Sequence, residues 1–75
     1  MRQLFPNITV SDEVQFGKPV IAGTRVPVEV VVGHIAAGDS TEEVMREYHL
    51  TREQVYAALQ YASRLVAEES VLVAS

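Results

Sequence analysis

Three groups of residues in this 75-residue chain are of types that could do chemistry. The stretch "GKPVIAGTR" at 17–25 crowds two glycines, a proline, a lysine and an arginine together, as loops do where a backbone wraps a phosphate. His34 and His49 carry the side chain most used for general acid–base work. Arg46, Thr51, Arg52, Tyr56, Gln60 and Arg64 supply donors of the kinds that meet phosphates and base edges in DNA.

The phosphate reading fails on spacing. A Walker-type loop needs G-x-x-x-x-G-K followed by Ser or Thr and opening into a helix. Here Lys18 directly follows the first glycine, and Pro19 removes an N–H that a nest would need. The stretch therefore reads as architecture. Gly17 and Gly23 offer backbone shapes that side chains forbid. Pro19 stiffens the entry to a strand and pushes Lys18 toward extended backbone. Arg25 has a fork suited to a carboxylate or several carbonyls, and is expected to clamp the arm against the helices.

The histidines fare little better. A general base needs a nucleophile within reach and a third group to orient it, and no sequence signature supplies that set. Both are expected to be surface or satisfied core residues, with no catalytic residue, metal or cofactor.

The elements that position these groups follow from patterning. "ITV" and "PVIA" are short β-prone runs joined around residues 11–19, which predicts a hairpin. Such a hairpin is marginal in water and must pack on something. In "VPVEVVVGHIAAGDS" the run Val30-Val31-Val32 favours a strand, whereas Val28, Val31, Val32 and Ile35 follow the stripe of a buried helix face. Pro27 suits a first helical turn and Gly38 the position past the end, so a helix over about 27–37 is preferred. Gly33 weakens it by up to about 1 kcal/mol relative to Ala, which implies a close backbone approach there.

Ser40 with Glu43, and Thr51 with Gln54, are capping boxes that start helices over about 41–48 and 52–68. The second helix should turn Val44, Met45 and Tyr48 inward. The third should bury Val55, Ala58, Leu59, Ala62, Leu65 and Val66, leaving Glu53, Ala57, Gln60 and Arg64 outward with Tyr56 beside them. Only His49, Leu50 and Thr51 separate the two helices, a spacing that makes a helix-turn-helix with Leu50 plugging the angle.

Size and charge bound the function. A chain this short holds one core and one domain: an arm over 1–25, a three-helix unit over 27–69 and an apolar tail over 70–75. Small cores usually need a staple, and the absence of cysteine excludes disulfides, leaving self-association. No apolar run approaches a membrane span, and the start is not a secretory signal, so a cytoplasmic location is expected. The whole net charge of −4 lies in residues 39–75, where Arg46, Arg52 and Arg64 face seven carboxylates. A nucleic-acid binder normally carries the opposite bias. An acidic face of this kind fits a basic protein partner more easily.

The ordered block Gly17-Lys18-Pro19, Ile21, Gly23-Thr24-Arg25, Pro27-Val28, followed by "IAAGDSTEEVMREYHLTREQVYAALQYA", resembles the family catalogued as domain of unknown function 433, over about Ile8 to Ala62. The resemblance implies a mainly α, homeodomain-like three-helix bundle with a helix-turn-helix, preceded by an N-terminal β-hairpin arm that mediates dimer contacts. It implies a prokaryotic antitoxin of a type II toxin–antitoxin pair, a homodimer whose partner is a PIN-like nuclease toxin. It also implies promoter binding as an alternative role, for which the helix-turn-helix reading offers Arg46, Thr51, Arg52, Tyr56, Gln60 and Arg64 as the DNA-facing set. Gly17, Lys18, Pro19, Ile21, Gly23, Thr24, Arg25 and Pro27 would then form the structural motif of the arm.

Overall fold

The structure, a computed structural model, describes residues 1–69; the apolar tail read over 70–75 lies outside the described residues. Strands β1 (Arg2–Phe5), β2 (Ile8–Val10) and β3 (Val20–Ile21) form an antiparallel sheet in that spatial order. Helices α1 (Val28–Ala36), α2 (Thr41–Tyr48) and α3 (Arg52–Glu68) follow.

The arm has one strand more than the sequence pattern suggested. "RQLF" contains no β-branched residue, and its pairing with β2 depends on the Pro6–Asn7 turn. Asn7 takes the left-handed φ of 67° there, which asparagine tolerates better than most residues. A register irregularity between Gln3 and Phe5 bends β1 as it leaves the turn.

In the 17–25 stretch several backbone groups and the Thr24 hydroxyl are consumed locally. The Ile21 N–H donates to the Val26 carbonyl at 3.0 Å, and the Val28 N–H to Pro19 at 3.0 Å. The Thr24 hydroxyl donates to the Ile21 carbonyl at 2.7 Å and accepts from the Val26 N–H at 3.0 Å. Gly17 and Gly23 take φ of 82° and 77°, and Lys18 is extended. Arg25 departs from expectation. Its guanidinium is in no hydrogen bond or ion pair among the described residues, and only its carbonyl is engaged, accepting from Gln15 Nε2 at 3.1 Å. Backbone bonds already close the turn, so no clamp is required. Just ahead of this stretch, Gln15 and Phe16 are both left-handed, and the Phe16 ring is 97% exposed.

Ile8 and Ile21 of the sheet join Val28 and Val31 of α1, Val44 of α2, Leu50, and Val55, Ala57 and Ala58 of α3 in one core. The sheet's inner face is thus buried against the chain's own helices. Leu50 plugs the angle between α2 and α3 as expected. Both capping boxes are complete, with each cap oxygen accepting at 3.1 Å from the N–H three residues on. His49, left-handed at φ 56°, closes α2.

Two expectations about α3 need correcting. Ala57, assigned to the outer face, is buried, while Leu65 and Val66, assigned to the core, are exposed. The helix is longer than the bundle it packs on, so its apolar stripe outruns the core. Gly33 is corrected too: among the described residues a Cβ placed there would meet nothing within 4 Å, so no backbone of theirs approaches it.

Candidate functional site

The helix-turn-helix presents most of its polar residues outward, but several are already partnered. Arg52 Nη2 donates to Glu42 Oε2 at 2.8 Å, joining the start of α3 to the start of α2. This bond holds the Glu42 carboxyl below its ordinary range and pushes the Arg52 guanidinium further up, with Tyr56 adding to the latter. Arg64 Nε donates to Glu68 at 3.0 Å, and its guanidinium lies 5.9 Å from the centre of the Phe5 ring. The Thr51 oxygen accepts the capping bond. Arg46, Gln60 and Tyr56 are exposed, and Arg46 is in no ion pair among the described residues. The structure therefore brings the six residues onto one helix pair but leaves Arg46 as their one cation without a carboxylate partner among the described residues. Glu43 and Glu47 of α2 and Glu53 of α3 are exposed as well.

An apolar groove runs between the start of α1 and the second half of α3, lined in part by Val28, Val32, Tyr61, Ala62, Leu65 and Val66. Lys18 borders it and pairs with Glu29 at 2.5 Å. Ile21 of the arm motif is fully buried.

A third feature was not legible in the sequence. His34, in the last turn of α1, lies between two oxygens: Nδ1 is 2.6 Å from Asp39 Oδ2, and Nε2 is 2.8 Å from Tyr48 Oη. The Asp39 N–H also donates to the His34 carbonyl at 3.0 Å, which fixes the carboxylate relative to the ring. With Asp39 ionised and the ring neutral, Nδ1–H donates to the carboxylate and Nε2 accepts from the Tyr48 hydroxyl. A hydroxyl, an imidazole and a carboxylate that sequence spacing did not bring together are placed in line here. A shallow depression lined by Glu29, Val30, Gly33, His34, Ala37 and Tyr48 opens over it. What joins them is topological: the angle between α1 and α2 brings Tyr48, at the end of α2, against His34, in the last turn of α1.

Among the described residues, no three His, Cys, Asp or Glu side chains are grouped to hold a metal ion, and no helix is long and apolar enough to cross a membrane.

Comparison with known proteins adds little about activity. The family model described as "Protein of unknown function (DUF433)" matches residues 8–62. The X-ray crystal structure of Rv2018 from Mycobacterium tuberculosis is similar, with a TM-score of 0.65 and 32% sequence identity over 71% of this chain. The match covers 25% of that structure's own length, so this chain corresponds to about a quarter of it. No curated protein matches.

Proposed function

The chain belongs to the DUF433 family, and on that premise we propose that it is a non-catalytic, antitoxin-like module that binds a small basic protein, such as a PIN-like nuclease toxin of a prokaryotic type II pair. The observation that carries this reading is electrostatic. Glu42, Glu43, Glu47 and Glu53 are exposed around the helix-turn-helix, and Arg52 is already paired with one of them. A face with this excess of carboxylates steers and orients a cationic partner.

Homodimerisation through the arm is part of the proposal. Strand β1 is the outer strand of its sheet, with Arg2 and Gln3 exposed. An edge strand of this kind is a template for pairing with a second copy. The apparatus of this reading is cytoplasmic.

The test is co-expression with the protein encoded by the adjacent gene. Restored growth, lost when Glu43 and Glu47 are both changed to lysine, is the expected result. Growth that stays arrested with wild-type chain removes the reading.

The helix-turn-helix geometry favours a second reading, a DNA-binding regulator that acts on its own promoter. Arg46 would contact phosphate while Gln60 reads bases. A salt-sensitive gel shift on the upstream DNA, weakened by Arg46→Ala, is expected on that reading. Absence of any shift at low salt eliminates it.

A further inference from the structure

The polar relay between α1 and α2 has the composition of a working site, and it is independent of the partner reading. A hydroxyl, an imidazole and a carboxylate stand in line, at 2.8 and 2.6 Å. This is the arrangement by which a base activates a nucleophile and is itself oriented by a third group. A clasp serving only to tie two helices would have the same bonds, so a separate observation must decide.

Gly33 supplies it. It sits inside α1, where glycine weakens a helix, yet among the described residues no neighbour lies within 4 Å of the space its Cβ would fill. Packing therefore does not require a glycine. Gly33 does line the depression in front of His34 and Tyr48, and a side chain there would narrow it. The vacancy gives the relay an open approach at the helix's expense.

We propose that Tyr48 is a covalent acceptor site for an uncharged, activated acyl group, with His34 as general base and Asp39 as the residue that positions its ring. Asp39 holds the far side of the His34 ring and its carboxylate disfavours phosphoryl and other anionic donors, Glu29 at the rim being already paired with Lys18. In the step, Tyr48 Oη attacks the acyl carbonyl carbon. The Oη–C bond forms and the bond to the leaving oxygen breaks. The phenolic proton passes to His34 Nε2 and departs with the expelled oxygen. The product is an ester of Tyr48, and nothing is oxidised or reduced.

The chain contains three tyrosines, which makes the test self-controlled. The intact chain is treated with p-nitrophenyl acetate, and acetylation of Tyr48, Tyr56 and Tyr61 is followed by peptide mass mapping. Tyr56 is the exposed one, at 46%, so simple accessibility puts it first. The relay instead puts Tyr48 first, by roughly 10²-fold. His34→Gln should bring Tyr48 down to the rate of Tyr56. Gly33→Val should slow Tyr48 while leaving Tyr56 and Tyr61 as they were. The wild-type comparison needs no variant to fold, and Gly33→Ala, which favours the helix, repeats the access test in milder form. Equal labelling of Tyr48 and Tyr56 in the wild-type chain overturns the proposal, as does a Tyr48 rate indifferent to His34→Gln. Undiminished p-nitrophenol release from Tyr48→Phe also overturns it, by making the imidazole the acceptor.

Discussion

The two halves of α3 carry the same kind of apolar stripe and meet opposite fates. Val55, Ala57 and Ala58 in the first half are 0%, 4% and 0% exposed, whereas Leu65 and Val66 in the second half are 46% and 70% exposed. Helical periodicity states which side of a helix is apolar; it does not state how far along the neighbours reach. The first half lies among β2, β3, α1 and α2, whose side chains complete the core. Among the described residues the second half borders the start of α1 and the arm's flank, and its stripe forms one wall of an open groove.

The sharpest way to break this contrast is to place the same charge in both halves. Val55→Asp would strand a carboxylate in the core and should abolish cooperative thermal unfolding, at a cost of several kcal/mol. Val66→Asp, on the same helix, should alter stability by no more than about 0.5 kcal/mol. A melting curve for Val66→Asp as damaged as that for Val55→Asp would show that the second half is covered after all.

A smaller effect tests what anchors the first half. Thr51→Ala removes the cap oxygen that accepts from Gln54 and should cost about 1 kcal/mol in urea unfolding. Next comes Gly33→Ala in α1, which should gain up to about 1 kcal/mol because the new methyl meets nothing. A loss there would mean that a neighbour does approach.

The smallest effect is at the surface. Glu42 is held below its ordinary range by Arg52, so its share of stability is complete above the unfolded-state value. That share is lost as pH falls through the lowered folded-state value. Glu42→Gln should therefore lower the neutral-pH plateau slightly and flatten the profile below about pH 4, where variant and wild type converge. Both partners are exposed, so the difference is small.

Much of this was legible beforehand, for local reasons. The caps at Ser40 and Thr51, the three-residue turn and the glycines at positive φ are written in neighbouring residues. Strand β1 was hidden because its pairing rests on a turn rather than on its own composition. Leu65 and Val66 were misplaced because coverage is a property of the whole bundle. The Asp39–His34–Tyr48 line was unreadable for a related reason. Its members sit five and fourteen positions from His34, and only the angle between α1 and α2 joins them.

The aromatic ring held out into water at Phe16 has a practical consequence. Its backbone is already bent out of the usual helical and strand shapes, so a protease with a taste for large aromatics finds a ready bait. A brief chymotrypsin digest should nick the chain after Phe16 first. The cut would fall between β2 and β3, and hydrogen bonds across those strands would keep the severed pieces together.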